Sequence, residues 1–216
     1  NILLQRTGPR LGLICTEGFE DVIPIGKGSS WIDSRVVKEM RCIPKTKKPQ
    51  PLIPRDMTIG LKERIDLHGA IIRPLDEEDF LEKLRYLVDR GARGFVICLQ
   101  WSFINSIHEM RIREIIETEY PDSYLGAMPV ILSSEICPKR MEYTRMTTTI
   151  LDAYLHESMW RQLCGMGDEL RDLGYTRGLM MVHNSGGMAE VFRTSAIQTF
   201  NGGPVSGLIG GAFMGK

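Results

Sequence analysis

The sequence predicts an α/β fold, a largely parallel sheet flanked by helices, and three observations predict it. Short apolar runs at residues 11–15 (LGLIC), 94–99 (GFVICL), 129–134 (PVILSS) and 179–182 (LMMV) recur along the 216 residues. Between the later runs lie longer stretches whose apolar residues fall at helical spacing, so strands and helices alternate as in parallel α/β units. The third observation is a pair of glycine turns near the end, His183-Asn184-Ser185-Gly186-Gly187 and Asn201-Gly202-Gly203-Pro204, each following an apolar run. In open α/β sheets ligands bind beyond the carboxyl ends of the strands. The expected organisation is a strand-rich subregion over 1–75 and an α/β unit over 76–216.

The first strand covers residues 11–15 and leads into the polar turn Thr16-Glu17-Gly18-Phe19-Glu20-Asp21, then Ile25-Gly26-Lys27-Gly28. Residues 35–41 suit a strand. Pro44, Pro49, Pro51 and Pro54, interleaved with Lys45, Lys47 and Lys48, read as an extended, solvated basic connection, because proline fixes φ and removes a backbone donor. Residues 58–66 and 70–73, joined by Leu67-His68-Gly69, read as a hairpin.

Regular alternation begins at Asp76, an N-cap followed by Glu77, Glu78 and Asp79 on the positive end of the helix dipole. Phe80, Leu81, Leu84, Leu87 and Val88 form one helical face, and Gly91 stops the helix. Residues 94–99 make a buried strand. Ser106 and Glu109 form a capping box that opens a helix to Glu119, with Ile112, Ile115 and Ile116 inward and Pro121 beyond its end. Residues 129–134 are a strand, and a long helical region spans 142–173, interrupted near Gly165 and Gly167. The runs 179–182 and 196–200 read as buried strands. Pro204 then opens a small-residue helix as its first residue, where a missing N–H costs nothing.

Composition excludes several classes of function. Twenty-seven Lys and Arg balance 27 Asp and Glu, for a formal net charge of zero. That argues against nucleic-acid or membrane-surface partners, which show as a basic excess. No apolar run reaches bilayer-spanning length, and no signal peptide is visible. The five cysteines (Cys15, Cys42, Cys98, Cys137, Cys164) form no C-x-x-C pair and read as reduced, mostly buried thiols of a cytoplasmic protein. The chain starts without methionine and stops inside a glycine-rich helical pattern, so a segment of a longer polypeptide is expected.

The glycine turns are the first candidate site. Glycine takes positive φ and lets backbone N–H groups approach a ligand, and a helix start with its macrodipole suits phosphate or carboxylate. The alternative for each turn is a tight bend or close helix–sheet packing. Neither matches G-x-x-x-x-G-K-[ST] or a strand-linked G-x-G-x-x-G. The candidate ligand contacts are Ser185, Gly186, Gly187, Gly202, Gly203 and Ser206, with His183 beside them. Further back, Glu142, Arg145 and Thr149 share a helical face continued by Asp152 and His156. That face is either a surface ion pair of Glu142 with Arg145, worth about 0.2–0.5 kcal/mol, or a polar stripe lining a cleft in which Arg145 grips an anion. The four histidines show no H-E-x-x-H spacing, so no metal site is expected. Ser185 and Ser206 do not match G-x-S-x-G, and Cys137 has no base signalled beside it. No catalytic residue is singled out.

Six stretches taken together carry a resemblance: GLICTEGFEDVIPIG (12–26), PLIPRDMTIGLKERIDLHGAIIRPLD (51–76), SFINSIHEMRIREI (102–115), LSSEICPKRMEYTRMTTTILDAYL (132–155), HNSGGM (183–188) and GGPVSGLIGGA (202–212). In order and over essentially the whole chain, they resemble the hydantoinase/5-oxoprolinase A-type family, which includes the large subunits of acetone and acetophenone carboxylases. The resemblance implies part of an actin/sugar-kinase/heat-shock-type ATPase fold, with a mixed sheet and flanking helices. It implies ATP with Mg²⁺ or Mn²⁺, used to activate a cyclic amide, a ketone enol or bicarbonate by phosphorylation. It also implies partner subunits of a hetero-oligomeric enzyme. The family's two aspartate–glycine–glycine–threonine phosphate loops are not in this sequence, so these 216 residues alone are expected to be inactive. Residues 202–212 would be the helix connecting two ATPase lobes. Asn201-Gly202-Gly203-Pro204-Val205-Ser206-Gly207 and the H-N-S-G-G turn resemble the ketone carboxylase branch. A hydantoinase or 5-oxoprolinase, or a non-catalytic scaffold subunit, is the alternative.

Overall fold

A computed structural model describes residues 2–26, 36–42, 50–121 and 128–215. The chain divides into two compact units, Pro9–Ile150 and Asn1–Gly8 with Leu151–Lys216. The expected division after residue 75 does not coincide with this one. One sheet of the first unit draws strands from both sides of residue 75.

The first unit is built on four parallel strands: β1 (Gly12–Thr16), β2 (Thr58–Leu61), β5 (Phe95–Cys98) and β6 (Val130–Leu132), in the order β2-β1-β5-β6. β1, β2 and β5 are buried along their whole length, which is why they read as unbroken apolar runs. The chain leaves β1 for a neighbour on one side and returns to the other, so a topological switch point lies between β1 and β5. A two-stranded antiparallel pair, β3 (Arg64–Ile65) with β4 (Ile71–Arg73), stands apart from this sheet. The predicted hairpin is therefore confined to its second half, because the apolar residues of β2 gain more by lying beside β1. Its turn is held by Asp66 Oδ1, which accepts from the N–H groups of His68 and Ala70, both at 2.8 Å.

Two helices cover the sheet. After α1 (Ile2–Gln5), α2 (Val22–Ile25) and α3 (Val37–Met40), α4 spans Glu77–Asp89 with Asp76 as its cap, accepting from Asp79 N–H at 3.1 Å. Phe80, Leu84 and Leu87 of α4 are fully buried, and a side chain at Gly12 would collide with Leu87 and Phe95. Burial of each such side chain favours folding by about 1.5–3 kcal/mol. α5 (Ile107–Glu119) buries Ile112, Ile115 and Ile116. The strand expected over 35–41 is, in its described part, the short helix α3, closed by Met40 N–H to Val36 at 3.1 Å. The basic stretch with Pro44, Lys45, Lys47, Lys48 and Pro49 lies outside the described residues.

α6 (Ser133–Ile136) follows β6 directly, and α7 then runs unbroken over Glu142–Asp172. The expected interruption at Gly165 and Gly167 does not occur, because glycine weakens a helix but, unlike proline, keeps its donor. α7 ends instead at Gly174 (φ 87°), where Tyr175 N–H reaches Leu170 O and Gly174 N–H reaches Arg171 O, both at 2.9 Å.

In the second unit β7 (Met180–Val182) pairs antiparallel with β8 (Met188–Glu190). These are half-exposed hairpin strands, not members of a buried parallel sheet. The strand expected over 196–200 is a 3-10 helix, Ala196–Thr199, with a capping box of Ser195 and Gln198. α8 (Gly202–Met214) starts two residues before Pro204, which remains in the first turn where helix N–H groups are free. Among the described residues no helix is long and apolar enough to cross a membrane.

The glycines of α7 and its terminator give opposite expectations from one chemical change. A Cβ at Gly165 or Gly174 would touch nothing within 4 Å. Gly165→Ala should stabilise by about 0.5–1 kcal/mol through helix propensity, whereas Gly174→Ala should cost about 1–2 kcal/mol because its φ is left-handed. Thermal unfolding midpoints of the two variants, moving in opposite directions, check both.

Candidate functional site

The carboxyl ends of the parallel strands in the first unit carry a buried polar layer. Thr16, the last residue of β1, donates its hydroxyl to Glu63 and accepts from Gln100 N–H at 2.9 Å. The other oxygen of Glu63 lies 2.7 Å from His108 Nδ1 in the first turn of α5. The Glu63 side chain is fully buried and that of His108 is 7 % exposed. Beside this chain, the buried Glu109 carboxylate accepts from Leu99 N–H at 3.0 Å, Ser133 Oγ at 2.7 Å and Ser134 N–H at 3.0 Å. One carboxylate thereby ties the exits of β5 and β6 together. Ser102 adds a bond to Leu99 O at 3.0 Å and a contact to Ser133 Oγ at 3.2 Å.

Local sequence explains the arrangement. Trp101 turns the chain after β5 with φ 58°, and Ile104 and Asn105 N–H groups return to its carbonyl. Asn105 then caps α5 through Ile107 N–H at 3.1 Å. The predicted Ser106–Glu109 capping box is thus not formed. Ser106 makes no side-chain cap, and Glu109 is drawn inward to donors that would otherwise be buried unpaired.

Arg145 is 1 % exposed. Its guanidinium donates to Leu99 O at 2.5 Å and to Lys139 O at 3.3 Å, and lies 5.3 Å from the centre of the Phe103 ring. The surface ion pair with Glu142 is not made, since Arg145 is buried on main-chain carbonyls and Glu142 is half-exposed without an ion pair among the described residues. Three buried side-chain nitrogens have no partner among the described residues: Gln100 Nε2, Arg113 Nε and Arg145 Nε. Burial pushes the thiols of Cys15 and Cys98 up, so neither is a ready thiolate. Cys137 is buried as well. Among the described residues no three His, Cys, Asp or Glu side chains gather as a metal site.

The second unit brings the two glycine turns together. A side chain at Gly202 would lie 2.5 Å from Val182 O, directly before His183, and one at Gly186 would strike Ile209 of α8. Asn184 N–H bonds Gln198 O at 2.7 Å, and His183 Nε2 lies 3.0 Å from Thr194 Oγ1. Ser206 Oγ donates back to Gly203 O at 2.8 Å, and Ser185 Oγ meets Gly187 N–H at 3.5 Å. The Gly186 turn is therefore packed against α8, whereas Gly203 faces open space. Asn201, left-handed at φ 60°, makes no side-chain cap at the start of α8. Asp152 in this unit accepts from Ile197 N–H at 2.9 Å, and burial holds its carboxyl above the ordinary range despite that bond and the nearby His156.

Sequence reasoning named Arg145, the glycine turns and Ser133 at the end of its strand, but missed Thr16, Glu63, Gln100, His108 and the inward role of Glu109. The signal available was polar residues placed immediately after apolar strands, which reads equally well as ordinary loop.

The switch-point sheet with its flanking helices makes this an α/β chain, as expected from the sequence, and the solved structures it superposes on have the actin-like ATPase fold. The chain belongs to the hydantoinase/oxoprolinase family: the family's N-terminal region matches residues 1–120 and the hydantoinase/oxoprolinase model matches residues 145–216. It is 52% identical over 213 residues to the acetophenone carboxylase gamma subunit of Aromatoleum aromaticum, covering 99% of this chain and 29% of that protein. A nucleotide-free acetone carboxylase structure superposes with a TM-score of 0.87 at 30% identity, over 100% of this chain and 30% of that one. The ATP-dependent caprolactamase of Pseudomonas jessenii superposes at 0.82 with 28% identity, over 100% and 30%. The chain thus spans less than a third of the length of these relatives.

Two carboxylates yield predictions. Glu109→Gln turns an acceptor oxygen into a donor facing other donors, and should cost about 2–4 kcal/mol in denaturant unfolding. Asp152, raised in the folded state, keeps its proton to higher pH than in the unfolded chain. Its contribution to stability should therefore fall as pH rises from about 4 through the raised value, then level. Asp152→Asn keeps an acceptor for Ile197, and unfolding midpoints taken across pH should lose that fall.

Proposed function

We propose that this chain is a segment of the ATP-dependent subunit of a ketone carboxylase of the acetone/acetophenone type. In this reading it works within a cytoplasmic hetero-oligomer that activates the ketone's enol, bicarbonate or both by phosphorylation, with neither nucleic acid nor membrane as a partner. The observation that carries it is the 52% identity to an acetophenone carboxylase subunit over almost the whole chain. Residues 1–75 would continue an N-terminal ATPase lobe, and α8 would be the helix joining two lobes.

The residues present fit one edge of a nucleotide site. Gly202 and Gly203 offer backbone N–H groups at the start of α8, on the positive end of its dipole, and the open face of Gly203 leaves room for an anionic oxygen. Ser206 and Ser185 supply hydroxyls, and Gly187 and His183 shape the neighbouring turn. Gly186, packed on Ile209, supports the turn from behind. Arg145, with Glu142 near the start of the same helix, adds positive charge to the first unit. Bound ATP would supply the phosphoryl group, its charge offset by Mg²⁺ or Mn²⁺.

Cyclic-amide hydrolysis is the second reading, favoured by the likeness to caprolactamase. ATP hydrolysis by the intact enzyme, challenged in turn with acetone, acetophenone, a hydantoin and 5-oxoproline, separates the two. Stimulation by a ketone with bicarbonate supports the first reading, and stimulation by a cyclic amide alone replaces it. Within either, Gly203→Ala should leave folding intact, since the added methyl meets nothing. It should raise the KM for ATP about tenfold, roughly 1.4 kcal/mol of binding. An unchanged KM removes the start of α8 from the site.

A further inference from the structure

The second unit contains a cavity of about 220 Å³ that the nucleotide reading does not use. One wall is the late half of α7, where Trp160, Gly167 and Arg171 fall on a single helical face. The loop after α7 and the residues at the end of β8 form the other. Gly167 opens a gap in the helix wall, since a Cβ there would meet nothing within 4 Å. Glycine inside a helix is unfavourable, and what it leaves here is room. Three aromatic rings line the same space, Trp160, Tyr175 and Phe192, each still exposed to water. Trp160 and Phe192 meet edge to face at 5.4 Å. Four charged residues line it as well. Arg171 donates to Asp168 at 2.7 Å, so those two cancel. The side chains of Arg177 and Glu190 make no ion pair or hydrogen bond among the described residues. Glu190 lies over the residue next to Arg177: a side chain at Gly178 would stand 3.2 Å from Glu190 Oε1.

We infer that this cavity is a binding site for a free α-amino acid with an aromatic side chain. The ring lies against Trp160, Tyr175 and Phe192, which gain from a further ring laid on their exposed parts. The α-carboxylate meets Arg177 and the α-ammonium meets Glu190, each through charge-assisted hydrogen bonds. The two free charges decide the class of ligand. An anion alone would be drawn to Arg177 and repelled by Glu190, and a cation alone the reverse, whereas a zwitterion satisfies both. Size sets the second limit. The volume lies below the roughly 300–1,000 Å³ of pockets for drug-sized ligands, so it suits one ring with a short polar tail and is too small for ATP. The site goes beyond the ketone and cyclic-amide readings and depends on neither.

The test uses the intact enzyme, with phenylalanine as the probe in equilibrium dialysis. Gly167→Leu fills the cavity from a position where the first added atom meets no neighbour and where leucine is the better helix former. Binding should weaken by about tenfold or more while the unfolding midpoint holds. Two analogues separate the charges: phenylalanine amide keeps only the ammonium, and N-acetylphenylalanine only the carboxylate. Arg177→Gln should weaken phenylalanine about tenfold and leave phenylalanine amide unchanged. Glu190→Gln should weaken phenylalanine by a similar factor and leave N-acetylphenylalanine unchanged. Wild-type enzyme that takes up no phenylalanine overturns the site, as does binding that Gly167→Leu leaves intact. Equal binding of phenylalanine and both analogues overturns the role of Arg177 and Glu190, and with it the zwitterion. A Trp160→Ala enzyme with a lowered unfolding midpoint, in a protein that binds no phenylalanine, marks the cavity as filled by the rest of the polypeptide and overturns the inference as well.

Discussion

Four parallel strands that stop at the same edge present a problem of unpaired main-chain donors, and a single carboxylate resolves much of it. Glu109 takes the N–H groups that follow β5 and β6 together with the Ser133 hydroxyl. Burying a carboxylate is expensive unless its lone pairs are filled, and burying amides unpaired is expensive in the other direction. Each penalty cancels the other only while all three bonds are made. That makes the strand ends rigid, and rigidity at that edge holds Thr16, Glu63 and His108 in register behind the switch point. Arg145, which donates to the carbonyl of the same residue, Leu99, belongs to the same framework.

The two units differ in how complete their cores are. The first closes α4 and α5 over a sheet with three fully buried strands, and Phe80, Leu84, Leu87, Phe95 and Ile112 are excluded from water. The second has a two-stranded sheet and an apolar helix, α8, whose Leu208 is 76 % exposed. A two-stranded hairpin is marginal by itself, and a helix apolar on every side is stable only when covered. The second unit is therefore the part of the chain whose geometry depends most on what packs against it in the longer family members.

The order of strands and helices was legible because burial on both faces leaves runs such as FVIC without polar interruption, and because Asp76 and the Phe80–Leu84–Leu87 face carry local signals that tertiary packing did not override. Errors arose where two local readings compete. Residues 58–61 look like half of a hairpin until β1 is available to pair with them. Residues 196–199 look like a strand until the Ser195–Gln198 box is given weight over the apolar side chains. Gly165 and Gly167 suggested a break that only proline would have enforced. The glycine turns were found because glycine announces unusual backbone, but whether each faces a ligand or a neighbour depends on Ile209, more than twenty residues away from Gly186.

The polar layer was the least legible feature, and for a physical reason. Glu63, His108 and Glu109 are ordinary residues in ordinary positions, and their significance comes from burial, which long-range packing confers. Ser106-x-x-Glu109 is a sound capping signal, yet a cap is worth about 0.5–2 kcal/mol, less than the cost of leaving Leu99 and Ser134 amides and the Ser133 hydroxyl buried without partners. Satisfying the three buried donors outweighs making the cap, and Glu109 turns inward. Once it does, the adjacent His108 points its Nδ1 at Glu63, because consecutive residues of a helix diverge by about 100°. A histidine and a glutamate side by side in sequence thus serve two separate halves of one layer: Glu109 locks the strand ends, and His108 joins Glu63 and, through it, Thr16.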